Sequence, residues 1–597
     1  MRLLRTVARA NPSTEQGGGK PGRGRRLVQI LALTALPASM AIAEAAKDPY
    51  DIPETETGIP VTDPLVIEKC GGCHTADEKG NLSRISWART TPEGWAQAIR
   101  RMAALNGLSI TPSETKAVIR SLSASHGLAP EEAKPVMYLT EHRIVTETNI
   151  PNETVRQACA SCHAFAQPLS WRRSKSEWGL LRNLHVALYS QADAQYRRPV
   201  DDDDEAGPPP GSTKPLPVEV ALEYMNKTAP LHTPEWAAWQ ARMQSSWLGG
   251  KWLVKATLPG KGVYVGQMVL APGTAADNYA SAISLTSLTD GSTLSRTGKG
   301  VVYTGYSWRG TSSSGKPGTR ANAPEDNETR ETMWFAPDRK SAQGRWFWGD
   351  YMEFGFDVTL TRAGAGPAIA AVMPSALKAG TKGAKVVIYG DSLPTQLTPS
   401  AIDLGKGVTV KSIVSASANA AEIMVDVAPD ATVGKHDVGL GGAVLAQALP
   451  VYDSVDYLKV TPDTALARLG GGIHGIGYQQ FEAIGYDNGL DGKAGTPDDV
   501  AIGPVDAAWS LQELPTVYYD DDVKYVGTLS PAGLFTPNID GPNPERRWGR
   551  NNYGEVWVVA TAKAEKDKMG RPLTGKSFMV VTVPAYKRWD QPEVAAK

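Results

Sequence analysis

The sequence predicts a multidomain protein in which one helical domain precedes three antiparallel β domains. Helix-start signals recur up to about residue 242, and beyond it short β-branched and aromatic runs alternate with glycine and proline. A glycine- and proline-rich break at 364–367 divides these β runs. The predicted domains are a helical domain at 44–244, a β barrel or sandwich at 245–364, an immunoglobulin-like sandwich at 365–454 and a C-terminal β domain at 455–597.

The helices are predicted from their first residues. Thr91 is followed by proline and glutamate, which is typical of a helix N-cap with proline at the first helical position, and this helix should end near Asn106. Thr111 and Ser174 are each followed three residues later by glutamate, which predicts two capping boxes. For the second box the glutamate is Glu177.

The β domains are predicted from short apolar runs. Residues 251–254 and 300–303 indicate strands of a barrel or sandwich. Residues 385–390 and 421–427 resemble strands of an immunoglobulin-like sandwich, and 577–583 indicates a strand near the C-terminus. All of these runs are bounded by turn-forming residues, as expected for antiparallel connections.

All four cysteines of the chain lie in one five-residue pattern that occurs twice. The two copies are Cys70-Gly71-Gly72-Cys73-His74 and Cys159-Ala160-Ser161-Cys162-His163. This is the attachment pattern of haem c, in which two thiols bind the porphyrin vinyl groups and the histidine ligates the iron. A pair of disulfides would not require a histidine beside each motif, and a four-cysteine zinc site usually lacks these histidines. We therefore predict a dihaem cytochrome c domain at 44–244, with two covalently bound haem groups.

An internal repeat suggests the second axial ligand of each iron. Met102 follows Trp95 by seven residues, and His185 follows Trp178 by seven, which places each pair on one helix face. We predict that Met102 ligates the first iron and His185 the second. The alternative is that Met102 packs in a core and His185 is a surface residue. The competing ligands are Met137, His126, Met225, His142 and His232.

The predicted ligands indicate the relative potentials of the two haems and the kind of reaction that they support. Because a thioether favours reduced iron, the haem with Met102 should have the higher potential, so electrons should run from the haem at Cys159–His163 to that at Cys70–His74. An iron with both axial positions filled has no open site for peroxide or substrate, so we expect electron transfer rather than bond chemistry.

Composition and the N-terminus bear on location and partners. With 62 basic and 63 acidic residues, the chain shows no excess charge for nucleic acid or an acidic membrane surface. Arginines at 23–26 precede a short apolar stretch and the pattern Ala41-Ile42-Ala43, so residues 1–43 are predicted to be a signal peptide. No apolar run reaches the length of a membrane span, which is about 20 residues. We expect a periplasmic protein.

An acidic loop at 487–499 raises the question of a calcium site. Its aspartates alternate with glycines, but the full EF-hand spacing is missing. An ordinary Asp- and Gly-rich turn is the favoured interpretation. No zinc-protease, nucleophile-elbow or dinucleotide-binding motif is present, so we predict no catalytic residue in this chain.

A signal peptide, two haem motifs about 90 residues apart and three β units resemble the α (large) subunit of quinohaemoprotein amine dehydrogenase. The resemblance implies that Cys70, Cys73, Cys159 and Cys162 bind two haems, and that His74, Met102, His163 and His185 ligate the irons. It also implies partners: a β-propeller subunit and a small subunit that carries cysteine tryptophylquinone. That quinone oxidises a primary amine to aldehyde and ammonia, and the α subunit passes the electrons to a soluble cytochrome or cupredoxin.

Two other functions stay open at this point. A dihaem cytochrome c peroxidase would need one iron with an open position. A haem-bearing binding or scaffold protein would use its sandwich domains to hold a ligand such as a polysaccharide. The four cysteines support the amine dehydrogenase subunit, because haem attachment leaves none for the quinone, whose chemistry must then lie on another chain.

Overall fold

The computed structural model describes residues 50–137, 150–198, 215–316, 323–364, 366–515 and 519–584, which fall in one compact unit. The predicted signal peptide at 1–43 and the competing ligand His142 lie outside the described residues. In the described ranges no helix combines the length and apolar character needed to cross a membrane.

The first domain is helical, with two very short strands. Its elements are α1 (Pro64–Cys70), β1 (Ala88–Thr90), α2 (Pro92–Asn106), α3 (Pro112–Ser125), α4 (Pro130–Ala133), α5 (Glu153–Ala160), α6 (Ala166–Leu169), β2 (Trp171–Arg173), α7 (Lys175–Leu188), α8 (Ser190–Arg197), α9 (Pro217–Thr228) and α10 (Pro234–Arg242).

The helix starts follow the predicted capping signals, with one exception. The Thr91 side chain accepts the amide hydrogen of the third helical residue, and α2 ends at Asn106 before a left-handed glycine, as predicted. The capping box at Thr111 is confirmed. Ser174 caps α7, but Glu177 instead binds Arg84, whose Nε lies 2.6 Å from its Oε1. A tertiary ion pair therefore replaces the predicted local hydrogen bond.

The two strands β1 and β2 pair antiparallel and join the two halves of this domain. Arg89 lies opposite Arg172 at the centre, and Ala88 lies opposite Arg173. Each strand leads directly into a long helix, β1 into α2 and β2 into α7. The helices that carry Met102 and His185 therefore start from one shared element.

The two halves also match in the packing of two tryptophans. The indole of Trp95 donates to the carbonyl oxygen of His126 at 3.1 Å, and that of Trp178 donates to the carbonyl oxygen of Ala229 at 3.2 Å. His126 directly follows α3, and Ala229 directly follows α9. The sequence repeat thus corresponds to a structural repeat, in which α2 with α3 matches α7 with α9.

Glu132 joins both strands at their central residue pair. Its carboxylate accepts from Arg89 Nη1 at 2.9 Å and from Arg172 Nε at 3.1 Å. Burial opposes ionisation of this group, but the two guanidinium groups lower the pKa of Glu132 to about 2. Glu132 is thus a buried carboxylate that stays charged and ties the two halves together.

The second domain is a closed antiparallel barrel, which resolves the predicted choice between barrel and sandwich. Neighbouring strands pair in sequence, and β10 closes the barrel by pairing with both β9 and β3. Tryptophan and phenylalanine side chains fill the interior, among them Trp252, Trp308 and Trp346. The strands are β3 (Gly250–Leu258), β4 (Gly262–Pro272), β5 (Asn278–Ser287), β6 (Thr293–Tyr303), β7 (Ser307–Ser313), β8 (Thr329–Phe335), β9 (Ser341–Trp348) and β10 (Phe354–Arg362).

The barrel holds the helical domain through buried polar contacts. The Arg309 guanidinium forms a bidentate ion pair with Glu93 in the first turn of α2, and both side chains are inaccessible to solvent. The Tyr306 hydroxyl donates to the carbonyl oxygen of Leu128 at 2.9 Å. The barrel therefore fixes both the helix that carries Met102 and the segment that carries Glu132.

The third domain is a sandwich of two four-stranded sheets. The sheet orders are β11-β13-β16-β15 and β12-β18-β17-β14, and the apolar faces of the two sheets form one core. The strands are β11 (Ala368–Met373), β12 (Leu377–Lys378), β13 (Ala384–Asp391), β14 (Ile402–Asp403), β15 (Val408–Ala416), β16 (Ala420–Val427), β17 (Gly434–Leu440) and β18 (Ala443–Tyr452).

The fourth domain contains three smaller sheets around its own core. Its elements are β19 (Tyr457–Thr461), β20 (Thr464–Arg468), β21 (Gln479–Gln480), β22 (Glu482–Asp487), β23 (Val500–Pro504), β24 (Ala507–Glu513), α11 (Asp522–Tyr525), β25 (Gly527–Leu529), β26 (Leu534–Pro537), β27 (Gly554–Lys566) and β28 (Pro572–Thr582). The predicted fold class, a helical domain followed by antiparallel β domains, is confirmed.

The contact between Glu93 and Arg309 gives a stability prediction. Glu93→Gln should lower the free energy of unfolding by about 3–5 kcal/mol, because it leaves a buried guanidinium without its charge partner. The matched control is Glu153→Gln in the first turn of α5, where the pair with Arg156 is exposed and worth about 0–1 kcal/mol. Urea unfolding followed by circular dichroism measures both. An equal, small loss in the two variants would contradict the prediction.

Candidate haem sites

The first cysteine motif continues the last turn of α1. Cys70 is the final helical residue, and the amide of His74 donates to the Cys70 carbonyl oxygen at 2.9 Å. Cys70 is half-buried and Cys73 is exposed. The backbone thus holds the two thiols about one turn apart, the arrangement that attachment to one porphyrin requires.

The imidazole of His74 is oriented by a backbone carbonyl. Its Nδ1 lies 2.7 Å from the carbonyl oxygen of Ser83. Because a carbonyl oxygen only accepts hydrogen bonds, Nδ1 must carry the hydrogen, which leaves the Nε2 lone pair available to a metal. A metal-ligating histidine usually has such a partner on its other nitrogen.

The second motif has a similar local structure at the end of α5. Cys159 lies in the last turn of the helix, Cys162 is exposed, and His163 Nδ1 lies 3.1 Å from the Ala164 carbonyl oxygen. Burial raises the pKa of the Cys159 thiol to about 12. An environment that disfavours a thiolate suits an uncharged thioether bond.

His185 faces His163 at a separation that fits one iron between them. Their ring centres are 6.5 Å apart, and the ring planes are tilted by 50°. A histidine nitrogen binds a metal at about 2 Å, so two imidazoles on opposite sides of one ion have centres roughly 6 Å apart. His185 Nδ1 donates to the Leu181 carbonyl oxygen at 2.9 Å, which again leaves Nε2 for the metal.

An aromatic cluster brings His185 close to the second motif. The ring of Tyr196 lies 6.4 Å from the ring of His185. Tyr196 also packs with Ala158, which precedes Cys159, and with Val186. Helices α5, α7 and α8 therefore converge on one site. The donor set here, two thiols and two imidazoles, fits haem c.

Met102 differs from the competing methionines in its burial. It is half-buried on α2, and Asn106 Nδ2 lies 3.6 Å from its sulfur. Met137 and Met225, by contrast, are fully buried in apolar cores. The sulfur of Met102 is therefore not enclosed in a packed core. Its ligation of the first iron stays a prediction.

The competing histidines are held by other groups. His126 is buried, with Nε2 at 3.0 Å from the Ile59 carbonyl oxygen and Nδ1 at 2.8 Å from Ser125 Oγ. Burial lowers the pKa of His126 to about 4. His232 Nε2 lies 2.6 Å from the Thr57 carbonyl oxygen. These contacts use the ring nitrogens in backbone and side-chain hydrogen bonds.

The aspartates of the loop at 487–499 accept hydrogen bonds from the loop itself. Asp487 accepts the amide hydrogen of Gly489 at 2.8 Å, Asp498 accepts that of Leu490 at 2.8 Å, and Asp499 accepts that of Gly495 at 2.7 Å. The contact of Asp487 with Gly489 is an Asx turn, and in the other two a carboxylate accepts from an amide earlier in the loop. The ordinary Asp- and Gly-rich turn stays the favoured prediction for this loop.

Sequence reasoning missed the groups that orient the predicted haem ligands. The partners of His74, His163 and His185 are backbone carbonyl oxygens, which every residue carries. No side-chain signal could have indicated them. The spacing of His185 from Leu181, four residues within one helix, is the single exception, since it follows from helix geometry.

The fold and these two motifs define a multidomain haem-binding protein. Comparison with known families assigns it further, since four domain models of quinohemoprotein amine dehydrogenase match the chain. They describe the haem-binding region of the alpha subunit (61–202) and its domains II (245–363), III (366–453) and IV (458–594). The chain therefore belongs to the family of quinohemoprotein amine dehydrogenase alpha subunits. It is a haem-binding subunit of a multisubunit amine dehydrogenase, an oxidoreductase.

Comparison with solved structures adds no further argument. A redesigned beta barrel has 17% identity, a TM-score of 0.17, and coverage of 21% of this chain and 98% of that chain. Mouse protocadherin-24 EC1-3 has 10% identity, a TM-score of 0.14, and coverage of 41% and 79%. Human protocadherin-24 EC1-2 has 11% identity, a TM-score of 0.15, and coverage of 38% and 100%. No curated protein matches the chain.

Replacing His185 should open one axial position. In His185→Ala the ferrous protein is expected to bind carbon monoxide, because the iron at the second motif loses a ligand. His232→Ala is the control, since His232 binds a backbone carbonyl instead. Carbon monoxide difference spectra measure both. An equal response in the two variants, or no response in His185→Ala, would contradict the prediction.

Removing divalent cations should leave the fourth domain unchanged. Dialysis against EDTA is expected to have no effect on the melting temperature, because backbone amides already bind the carboxylates of Asp487, Asp498 and Asp499. The measurement is thermal unfolding before and after dialysis, with calcium added back as the control. A calcium-dependent rise in melting temperature would show a cation site.

Proposed function

We propose that this chain is the dihaem electron-transfer subunit of a quinohaemoprotein amine dehydrogenase. One haem c is attached through Cys70 and Cys73, and the other through Cys159 and Cys162. The observation that carries the proposal is the 6.5 Å separation of the imidazoles of His163 and His185, which leaves room for one iron between them. Family membership supports haem binding, and the two motifs support covalent attachment.

The arrangement of ligands favours electron transfer over bond chemistry. A bound haem c supplies one-electron oxidation and reduction. His163 and His185 would hold the second haem from two sides, and an iron bound by both imidazoles would have no open position for substrate or peroxide. The carbonyl oxygens of Ala164 and Leu181 hold these imidazoles in place, which limits rearrangement when the charge of the iron changes.

The first site is proposed to be the exit for electrons. His74 and Met102 would ligate its iron, and a thioether ligand would give this haem a higher potential than two imidazoles give the other. Electrons then move from the site at His163 to the site at His74. Both sites lie on one pseudosymmetric frame, since β1 and β2 start the two ligand helices.

The amine chemistry is proposed to lie on other chains. All four cysteines of this chain are in haem motifs, so none remains for a cysteine-derived quinone. The proposed partners are a β-propeller subunit and a small subunit with cysteine tryptophylquinone, which converts a primary amine to aldehyde and ammonia. A soluble cupredoxin or cytochrome c is the proposed acceptor. Because haem c is attached after export, the proposed location is the periplasm.

This function is tested by adding a primary amine to the purified native complex. Amine should reduce the haems of the complex, which the ferrous absorption bands report, and it should leave the isolated α chain oxidised. Dithionite reduction of the isolated chain is the control for intact haem. Reduction of the isolated chain by amine would contradict the proposal, as would a complex whose haems do not respond to any primary amine.

A further inference from the structure

A buried arginine next to the second haem site lacks an adequate anionic partner. The Arg173 side chain is 10% exposed, and among the described residues its Nε has no hydrogen-bond partner. The nearest carboxylate oxygen, Glu177 Oε2, is 3.7 Å from Arg173 Nη1. Glu177 makes its close contact with Arg84 instead, at 2.6 Å. Burying a guanidinium without a close anionic partner destabilises the folded protein, because the lost hydration of the charge is not compensated.

The packing of Arg173 places it beside the helix that carries His185. Its Cζ lies 4.1 Å from the ring centre of Trp171 and 5.7 Å from that of Trp178. Trp178 is seven residues before His185, on the same face of α7. The guanidinium therefore lies along the ligand helix, on the face that His185 occupies.

The charges around Arg173 are predominantly positive. Burial lowers the pKa of Arg173 to about 10; Glu177 opposes this shift, while Arg84 and Arg101 add to it. Arg84 and Arg173 thus share the carboxylate of Glu177, and Arg101 adds a third positive charge near Arg173.

A carboxylate at the edge of a porphyrin would suit Arg173 as an anionic partner. A haem carries two propionate groups, and a guanidinium binds a carboxylate through two parallel hydrogen bonds. We propose that Arg173, assisted by Arg101, binds a propionate of the haem that His163 and His185 ligate. This inference rests on the proposed function, because it requires a haem at the second motif.

The arginine pair also has an electrical consequence. A positive charge close to the haem favours the ferrous state, so Arg173 and Arg101 raise the potential of the second haem. Arg101 directly precedes Met102 on α2. Arg101 therefore belongs to the helix that carries Met102, whereas Arg173 contacts Trp178 on the helix that carries His185.

The test uses the holoprotein and measures both midpoint potentials by spectroelectrochemistry. Arg173→Gln should lower the potential of the second haem, shifting its ferrous-to-ferric ratio at fixed applied potential at least tenfold towards ferric, which is about 59 mV for a one-electron couple. Arg173→Lys keeps the charge and should retain most of the potential. Arg197→Gln is the matched control, because Arg197 lies on α8 with its side chain 65% exposed and pairs with Asp193.

Different outcomes distinguish the possible failures. If Arg173→Gln lowers stability but leaves both potentials unchanged, Arg173 is structural and the inference is wrong. If the Arg173→Gln protein cannot be purified with haem, the potentials are measured in Arg101→Gln instead. The expected decrease in the potential of the second haem is then smaller, because Arg101 is only half-buried. If the unsubstituted protein has no haem at the second motif, the proposed function itself fails.

Discussion

The pairing of two three-residue strands is the contact on which the haem-binding domain depends. Strands β1 and β2 contribute only three residue pairs, yet each leads directly into a helix with a predicted iron ligand. Such a short ladder is weak by itself, and the buried Glu132 reinforces it by binding Arg89 and Arg172 together. Both arginines and Glu132 are buried. If the strands separated, these charges would either become exposed to solvent or stay buried without a partner, which is strongly destabilising. The relative placement of α2 and α7 follows from this constraint.

The barrel extends the same constraint to the rest of the chain. Arg309 binds Glu93 in the first turn of α2. Tyr306 binds the carbonyl oxygen of Leu128, just before helix α4, and α4 contains Glu132. The interior of the barrel is filled with buried apolar side chains, many of them aromatic. Through its two polar contacts the barrel supports the helical domain. It fixes one ligand helix and the central carboxylate relative to each other.

Local signals predicted much of this structure, and long-range contacts account for what was missed. The caps at Thr91 and Ser174 and the repeat that ends at Met102 and His185 depend on residues close in sequence, so they could be identified. The interaction of Glu177 with Arg84 bridges 93 positions, and no local pattern indicates it. Barrel closure likewise depends on the pairing of β10 with β3. Alternating apolar residues indicate that a segment is a strand, but they do not determine which strand it pairs with. Ligation by Met102 remains a prediction of the sequence repeat.

The two halves of the haem-binding domain share a backbone but differ in the side chains that control an iron. Met102 and His185 occupy the same position, eleven residues after their N-caps, and Thr90 occupies the position of Arg173 just before the cap. In the first half the Thr90 hydroxyl donates to the Ser170 carbonyl oxygen. In the second half the equivalent position carries the guanidinium of Arg173. A thioether raises a haem potential, and so does a nearby positive charge. In the proposed relay each half would therefore raise its potential by a different group, a thioether in the first half and a guanidinium in the second.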